Sequence, residues 1–96
     1  MTSFYMVGQI KDVLELQTSG SGMKMRKIKV SVFKQNSDEQ ELYEVVLFRQ
    51  LAENEYNIDD LVAVSGKLSP NNYTKDGASY YNVNLVAYQV AVLRAC

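Results

Sequence analysis

Two sets of side chains in this sequence are placed to do chemistry, and the chemistry is non-covalent. Lys24, Arg26, Lys27, Lys29 and Lys34 gather half of the ten basic residues into a short run, with no acid between Glu15 and Asp38. Such a run suits a row of phosphates. It also suits a solvated strand face, because lysines keep exposed strands from pairing with other chains. In a period of two, Phe33 shares a face with Lys27 and Lys29, so a ring is mixed with the cations. The second set is residues 42–48, LYEVVLF, in which both alternating faces are largely apolar. Tyr43, Val45 and Leu47 form one face; Leu42, Val46 and Phe48 form most of the other. One face belongs to a core, and the other fits either a second packed layer or a flat ligand such as an unpaired base. Phe48 is compatible with both a core aromatic and a base platform.

Composition removes other chemistries. There is no His and no Trp, and Cys96 is the single cysteine, which excludes Cys/His metal sites, a histidine general base and a disulfide framework. A terminal thiol with no histidine beside it has no activating base. No paired-carboxylate or nucleophile spacing stands out, so the sequence predicts no enzyme, no cofactor, no metal and no small-molecule substrate. The N-terminus has no basic region followed by a long apolar run, and no apolar stretch approaches the length of a membrane span. A reduced, cytoplasmic setting without membrane association is the expectation. The net charge of −1 argues against a nucleic-acid partner, whereas the clustering of the cations argues for one.

The elements that must position these residues follow from periodicity. Ninety-six residues allow one core, hence a single domain over residues 1–96. Residues 4–16 read as a first strand in which Gly8 permits a bend or a close backbone approach. After a TSGSG turn, residues 23–34 form a second strand with Ile28, Val30 and Val32 towards the core. A polar loop leads to the third strand, and residues 49–56 favour one or two helical turns with Leu51 and Ala52 packing down. Residues 61–68 form a fourth strand with Val62 and Val64 inward and a bend or bulge at Gly66. A long hairpin turns at Asp76-Gly77. The last strand covers residues 79–93, with Leu85 and Ala87 on one face and Asn84 and Tyr88 on the other. Five strands with one short helix between strands 3 and 4 specify an all-β chain, the OB-fold, a five-stranded partly open Greek-key barrel.

From Phe4 to Leu93 the chain resembles the bacterial and phage single-stranded DNA-binding proteins. FYMVGQI is similar to that family's opening strand, and YEVVLFRQLAE resembles its run of aromatic, Val-Val, apolar pair and Leu-Ala-Glu. Val-Ser-Gly-Lys-Leu at 64–68 and the aromatic-Thr-x-x-Gly hairpin ending in Tyr81-x-Val83-x-Leu85 match in order. The resemblance implies that Phe48 and Tyr73 stack on unpaired bases and that Lys27 and Lys29 track phosphates, with Lys24, Arg26 and Phe33 on the same strand. Leu42 stands where many members have Trp, which removes one platform. The hairpin reads Ser-Pro-Asn-Asn at 69–72 where close relatives carry cations, leaving Lys67 and Lys75 as the nearest ones.

What the resemblance implies is sequence-tolerant binding of single-stranded DNA in replication, recombination or repair, by a protein of bacterial, phage or mobile-element origin. An alternative is a primosomal-type adaptor that binds replication proteins and holds DNA weakly. The absence of Trp and the thin hairpin charge fit that alternative. The sequence stops at Cys96, without the Gly/Pro/Gln-rich linker and acidic tip of many members, as in a tail-less or trimmed variant. An apolar edge strand over residues 4–10 would be an aggregation hazard if left unpaired, so a dimer or tetramer is expected.

Overall fold

The computed structural model describes residues 2–33 and 38–95, and within these the side chains of all but residues 71–73 and 80–82. Lys34 and Cys96 lie outside the described residues. The chain runs β1 (Ser3–Val13), β2 (Gln17–Thr18), β3 (Lys24–Phe33), β4 (Gln40–Phe48), α1 (Gln50–Glu53), β5 (Leu61–Lys75) and β6 (Ala78–Arg94). The sheet order is β1-β5-β6-β4-β3-β2, and an added β1–β3 pairing closes five strands into a barrel. β2 is a two-residue pairing against Lys24 and Met25 on the end of β3. The short helix sits where the expected OB-fold has it, between the third and fourth barrel strands.

Closure depends on β1 changing partners. Ser3 to Gln9 pair with β5, and Gln9 to Val13 pair with β3, with a bulge at Lys11. The expectation of an edge strand over residues 4–10 holds for residues 4–8, which pair with β5 alone among the described residues, and is corrected for residues 9 and 10, which pair with β3. The other closing contact is a parallel seam of two pairs, Val45↔Leu85 and Val46↔Val86, between β4 and β6.

The core is the barrel interior. Ile10, Ile28, Val30, Val45, Leu47, Val62 and Val64 are fully buried, and they are the inward members of alternating strands, as the period of two requires. β1 ends at Val13 and not at residue 16, and α1 is four residues long, shorter than the expected 49–56. So short a helix has no stability of its own. It is held by Ala52, fully buried in the core, by Leu51 packed against it, and by the Tyr56 hydroxyl, which donates to the Leu51 carbonyl at 2.6 Å. Burial pushes the Tyr56 phenol above its ordinary pKa. The turn before β5 is tied back to β1: Ile10 N–H donates to the Asp60 carbonyl at 3.0 Å and Asp59 N–H to the Ile10 carbonyl at 2.7 Å.

The β5–β6 hairpin is continuous to its tip, so the fourth barrel strand runs on to Lys75, well past residue 68, while the fifth begins at Ala78, one residue before 79. Asp76 and Gly77 both have positive φ, 53° and 80°, the type I′ geometry an Asp-Gly pair favours. Lower down, the register slips between Ser65↔Gln89 and Gly66↔Ala87, leaving Tyr88 as the extra residue of a β-bulge. A Cβ at Gly66 would collide with the Val86 carbonyl and the Ala87 Cα, so only glycine lets the two backbones approach here. Gly66→Ala is expected to lower stability by about 1–3 kcal/mol or more, because backbone has to move. Gly20→Ala, with nothing within 4 Å of the added carbon, should stay within about 0.5 kcal/mol. Urea unfolding of the two variants checks this; equal stabilities would remove the close approach as a constraint.

Candidate nucleic-acid interface

The β4–β6 seam is two pairs long, and beyond it the strands diverge, so a valley opens on the outer side of the barrel. Val46 of β4 and Val86 of β6 face each other across the seam and form the floor. Met25 and Lys27 from β3 and Phe48 from β4 line one wall. Lys67 and Ser69 from β5 with Asn84 and Tyr88 from β6 line the other. Met23 and Arg49 close the end, and the space enclosed is roughly 700 Å³. Two smaller depressions adjoin it, one past Lys24 and Glu53, the other past Gln17 and Thr18; both share Met23 with the groove. Together they make one trough around Met23, Met25, Phe48 and Arg49.

Each wall residue is there for a local reason. Lys27 and Met25 are the outward members of β3, between inward Ile28 and its neighbours. Phe48 lies directly opposite Met25 in register, which puts a thioether beside a ring. Tyr88 continues the outward series of Asn84 and Val86 and is 60% exposed, and the alternation changes only after it, at the bulge. Arg49 has φ 57°, a left-handed conformation costly for a residue with a Cβ; its N–H donates to the Lys24 carbonyl at 2.9 Å, and its own carbonyl accepts from Ala52 and Glu53.

Among the described lining residues the groove has three cations, Lys27, Arg49 and Lys67, and no carboxylate. A shallow apolar floor with rings and thioethers on the walls and positive charge at the rim suits a chain that is flat in its bases and anionic in its backbone. No cluster of His, Cys, Asp and Glu among the described residues has the makings of a metal site.

The residues singled out from sequence are only partly brought together. Lys27, Phe48 and Lys67 meet in the groove. Lys29 is next along the same face of β3, and Lys24 borders an adjoining depression, where its ammonium donates to Thr18 Oγ1 at 2.9 Å. Phe33 lies at the far end of β3, 63% exposed. Lys75 is exposed beside the hairpin tip. Tyr73 is in the hairpin, paired with Tyr80, and its side chain lies outside the described residues. Arg26 is not in the groove. It shares the inward face with Ile28, its Nε is buried without a partner, and its Nη1 reaches the Asn54 carbonyl at 3.4 Å below the helix. Its even spacing from Ile28 and Val30 was the signal. Sequence reasoning did not single out Met23, Met25, Arg49, Asn84 or Val86 for the site, and it left Tyr88 undecided. Tyr43, half-buried on the other face of β4, donates to Glu41 at 2.9 Å, and that carboxylate pushes the phenol pKa up.

No protein-family model matches the chain, and no curated protein does. Among solved structures it is similar to Rim1, a mitochondrial single-stranded DNA-binding protein from S. cerevisiae, with a TM-score of 0.74 at 18% identity over 97% of this chain and 95% of that one. A second crystal form of Rim1 gives 0.73 at 18% identity over 97% and 96%. The N-terminal domain of PriB from Thermoanaerobacter tencongensis, described as dimeric, gives 0.74 at 16% identity over 98% of both chains. These likenesses show the fold: the barrel is an OB-fold over nearly its whole length.

Arg49 allows folding and site to be separated. Glycine tolerates φ near 57°. Arg49→Gly is therefore expected to match or exceed the parent's stability, while Arg49→Val loses about 1 kcal/mol or more. Thermal melts of both variants decide; a clear loss in Arg49→Gly would show that the side chain and not the backbone matters for folding.

Proposed function

We propose that this protein binds single-stranded DNA with little regard to sequence, with bases stacking against the Phe48 and Tyr88 rings and phosphates meeting Lys27, Arg49 and Lys67. The observation that carries the reading is the groove itself: apolar and aromatic walls, a cationic rim and no lining carboxylate. The OB-fold shared with Rim1, a single-stranded DNA-binding protein, supports it. Tyr73 and Lys75 would extend the track along the hairpin, and Lys24 and Lys29 would extend it along β3. Service in replication, recombination or repair follows from this chemistry, since unpaired DNA is their common substrate. Pairing with a second copy is part of the proposal. The second edge of Ser3–Gly8 is unpaired among the described residues, Tyr5 beside it is 71% exposed, and the PriB domain is dimeric.

The adaptor reading, in which replication proteins are the main partners and DNA is held weakly, draws on one observation. Lys67 and Lys75 are the only basic residues from Leu61 to the hairpin turn.

Anisotropy titration with oligo-dT at several salt concentrations tests the proposal. At about 0.7 per contact, Arg49 and Lys67 should give a log–log slope near −1.4, and Lys27, which is paired with Glu44, takes it to at most about −2. Phe48→Ala should weaken binding by roughly 1–3 kcal/mol while Phe48→Trp retains it, because stacking needs a ring. A folded parent that ignores oligo-dT at low salt would transfer the argument to the adaptor.

A further inference from the structure

Beyond the groove, the outer face of β3 and β4 carries a second apolar area. Leu42 is 58% exposed and Phe33 is 63% exposed, and they flank buried Ser31, whose hydroxyl donates to Gln40 Oε1 at 2.6 Å. Leu42 lies six residues from Phe48 on the same face of β4, roughly 20 Å at about 3.3 Å per residue. A single strand leaving the groove at Phe48 would reach this area by running along the sheet. Between the two areas stands a belt of charge. Lys27 Nζ is 3.5 Å from Glu44 Oε1, and Lys29 is directly opposite Glu44 in register. Glu44 is thus the carboxylate on the outer face at the point a strand has to cross.

Two consequences follow from elementary electrostatics. A phosphate approaching Lys27 competes with Glu44 for the same ammonium, and a phosphate passing above Glu44 meets a like charge. The pair is half-exposed, with side chains 42% and 47% accessible, so water and salt screen it and it can be opened. The restraint is therefore partial.

We propose that Glu44 limits single-strand binding by this protein: it withholds Lys27 from phosphate and keeps the bound strand at the groove end, off the Leu42–Phe33 area. This rests on the single-stranded DNA reading above. Removing the charge while keeping the shape, as in Glu44→Gln, frees Lys27 and joins the two areas into one track.

The test uses the full chain and oligo-dT of about 16 nucleotides, the upper range for one such barrel. Glu44→Gln is expected to bind roughly three- to fivefold tighter, the range an exposed ion pair allows. Its salt slope should steepen by about 0.7, one added phosphate contact. Combined with Lys27→Ala, Glu44→Gln should gain no more than the control Glu55→Gln, which removes an exposed acid outside the trough. Phe33→Ala should leave the parent's affinity unchanged and cost the Glu44→Gln variant binding. Thermal melts confirm that each variant is folded. Parent-like affinity and slope in Glu44→Gln, a gain undiminished by Lys27→Ala, or an equal Phe33→Ala cost in both backgrounds would each overturn the restraint while leaving single-strand binding standing. A folded parent and a folded Glu44→Gln variant that both ignore oligo-dT would overturn the restraint and the reading beneath it together.

Discussion

A five-stranded sheet can become a barrel only if some strand is paired on both edges and backbones come close enough at the corners for the ring to shut. Here β1 is the strand that serves two neighbours, β5 through Ser3–Gln9 and β3 through Gln9–Val13. The changeover falls at Gln9, and at Gly8 beside it a Cβ would strike the Ser31 carbonyl. Gly66 plays the same part between β5 and β6. With those approaches in place, the inward residues of every strand reach one another and Ile10, Ile28, Val45, Leu47 and Val62 lose all contact with water. Elsewhere the ring shuts by the two-pair seam between β4 and β6. The groove is the outer consequence of that short seam, because strands that diverge on either side of a narrow contact leave a valley.

The physics of the groove is that of a partly dehydrated surface with charge at its margin. A ring laid against Met25, Phe48 and Tyr88 would displace water from apolar surface, while a phosphate at the rim would meet Arg49 and Lys67 directly and Lys27 in competition with Glu44. In the binding mode proposed above, stacking would hold the bases without reading their edges, and the cations would set the dependence on salt. Glu44 moderates this arrangement from within, by its pairing with Lys27. The bulge at Tyr88 and the left-handed Arg49 are local departures from regular structure, and both residues line the groove.

Much of the fold was legible because burial leaves a period of two in the sequence. Ile28/Val30, Val45/Leu47 and Val62/Val64 read as inward pairs and are the core. Gly66 and Asp76-Gly77 read as a bulge and a turn, and they are. Three things did not show. The switch of β1 to β3 is a matter of long-range pairing, which local alternation does not encode, so the edge read over residues 4–10 ends at Gly8. The bulge resets the alternation of β6, so Val90 packs against the core two positions after a residue that points out. Arg26 was grouped with the lysines by charge, although its spacing from Ile28 already put it on the other face. In the site, Phe48 and Lys27 carried signals of type and placement, and Lys67 was reached through the family resemblance. Met23 and Met25 did not, since an unbranched apolar residue near a strand end looks the same whether it lines a groove or a core.

Those methionines offer the most direct measurement of the central claim, that the groove over the β4–β6 seam is where single-stranded DNA lies. In protein labelled at the methionine methyls, Met23 and Met25 line the trough while Met6 packs against the core on β1. On titration with oligo-dT the methyl resonances of Met23 and Met25 are expected to shift together as bases stack near them, saturating at the concentration where anisotropy saturates, with Met6 unmoved. Saturable binding that leaves Met23 and Met25 in place, or that moves Met6 instead, would put the DNA on another face and contradict the account.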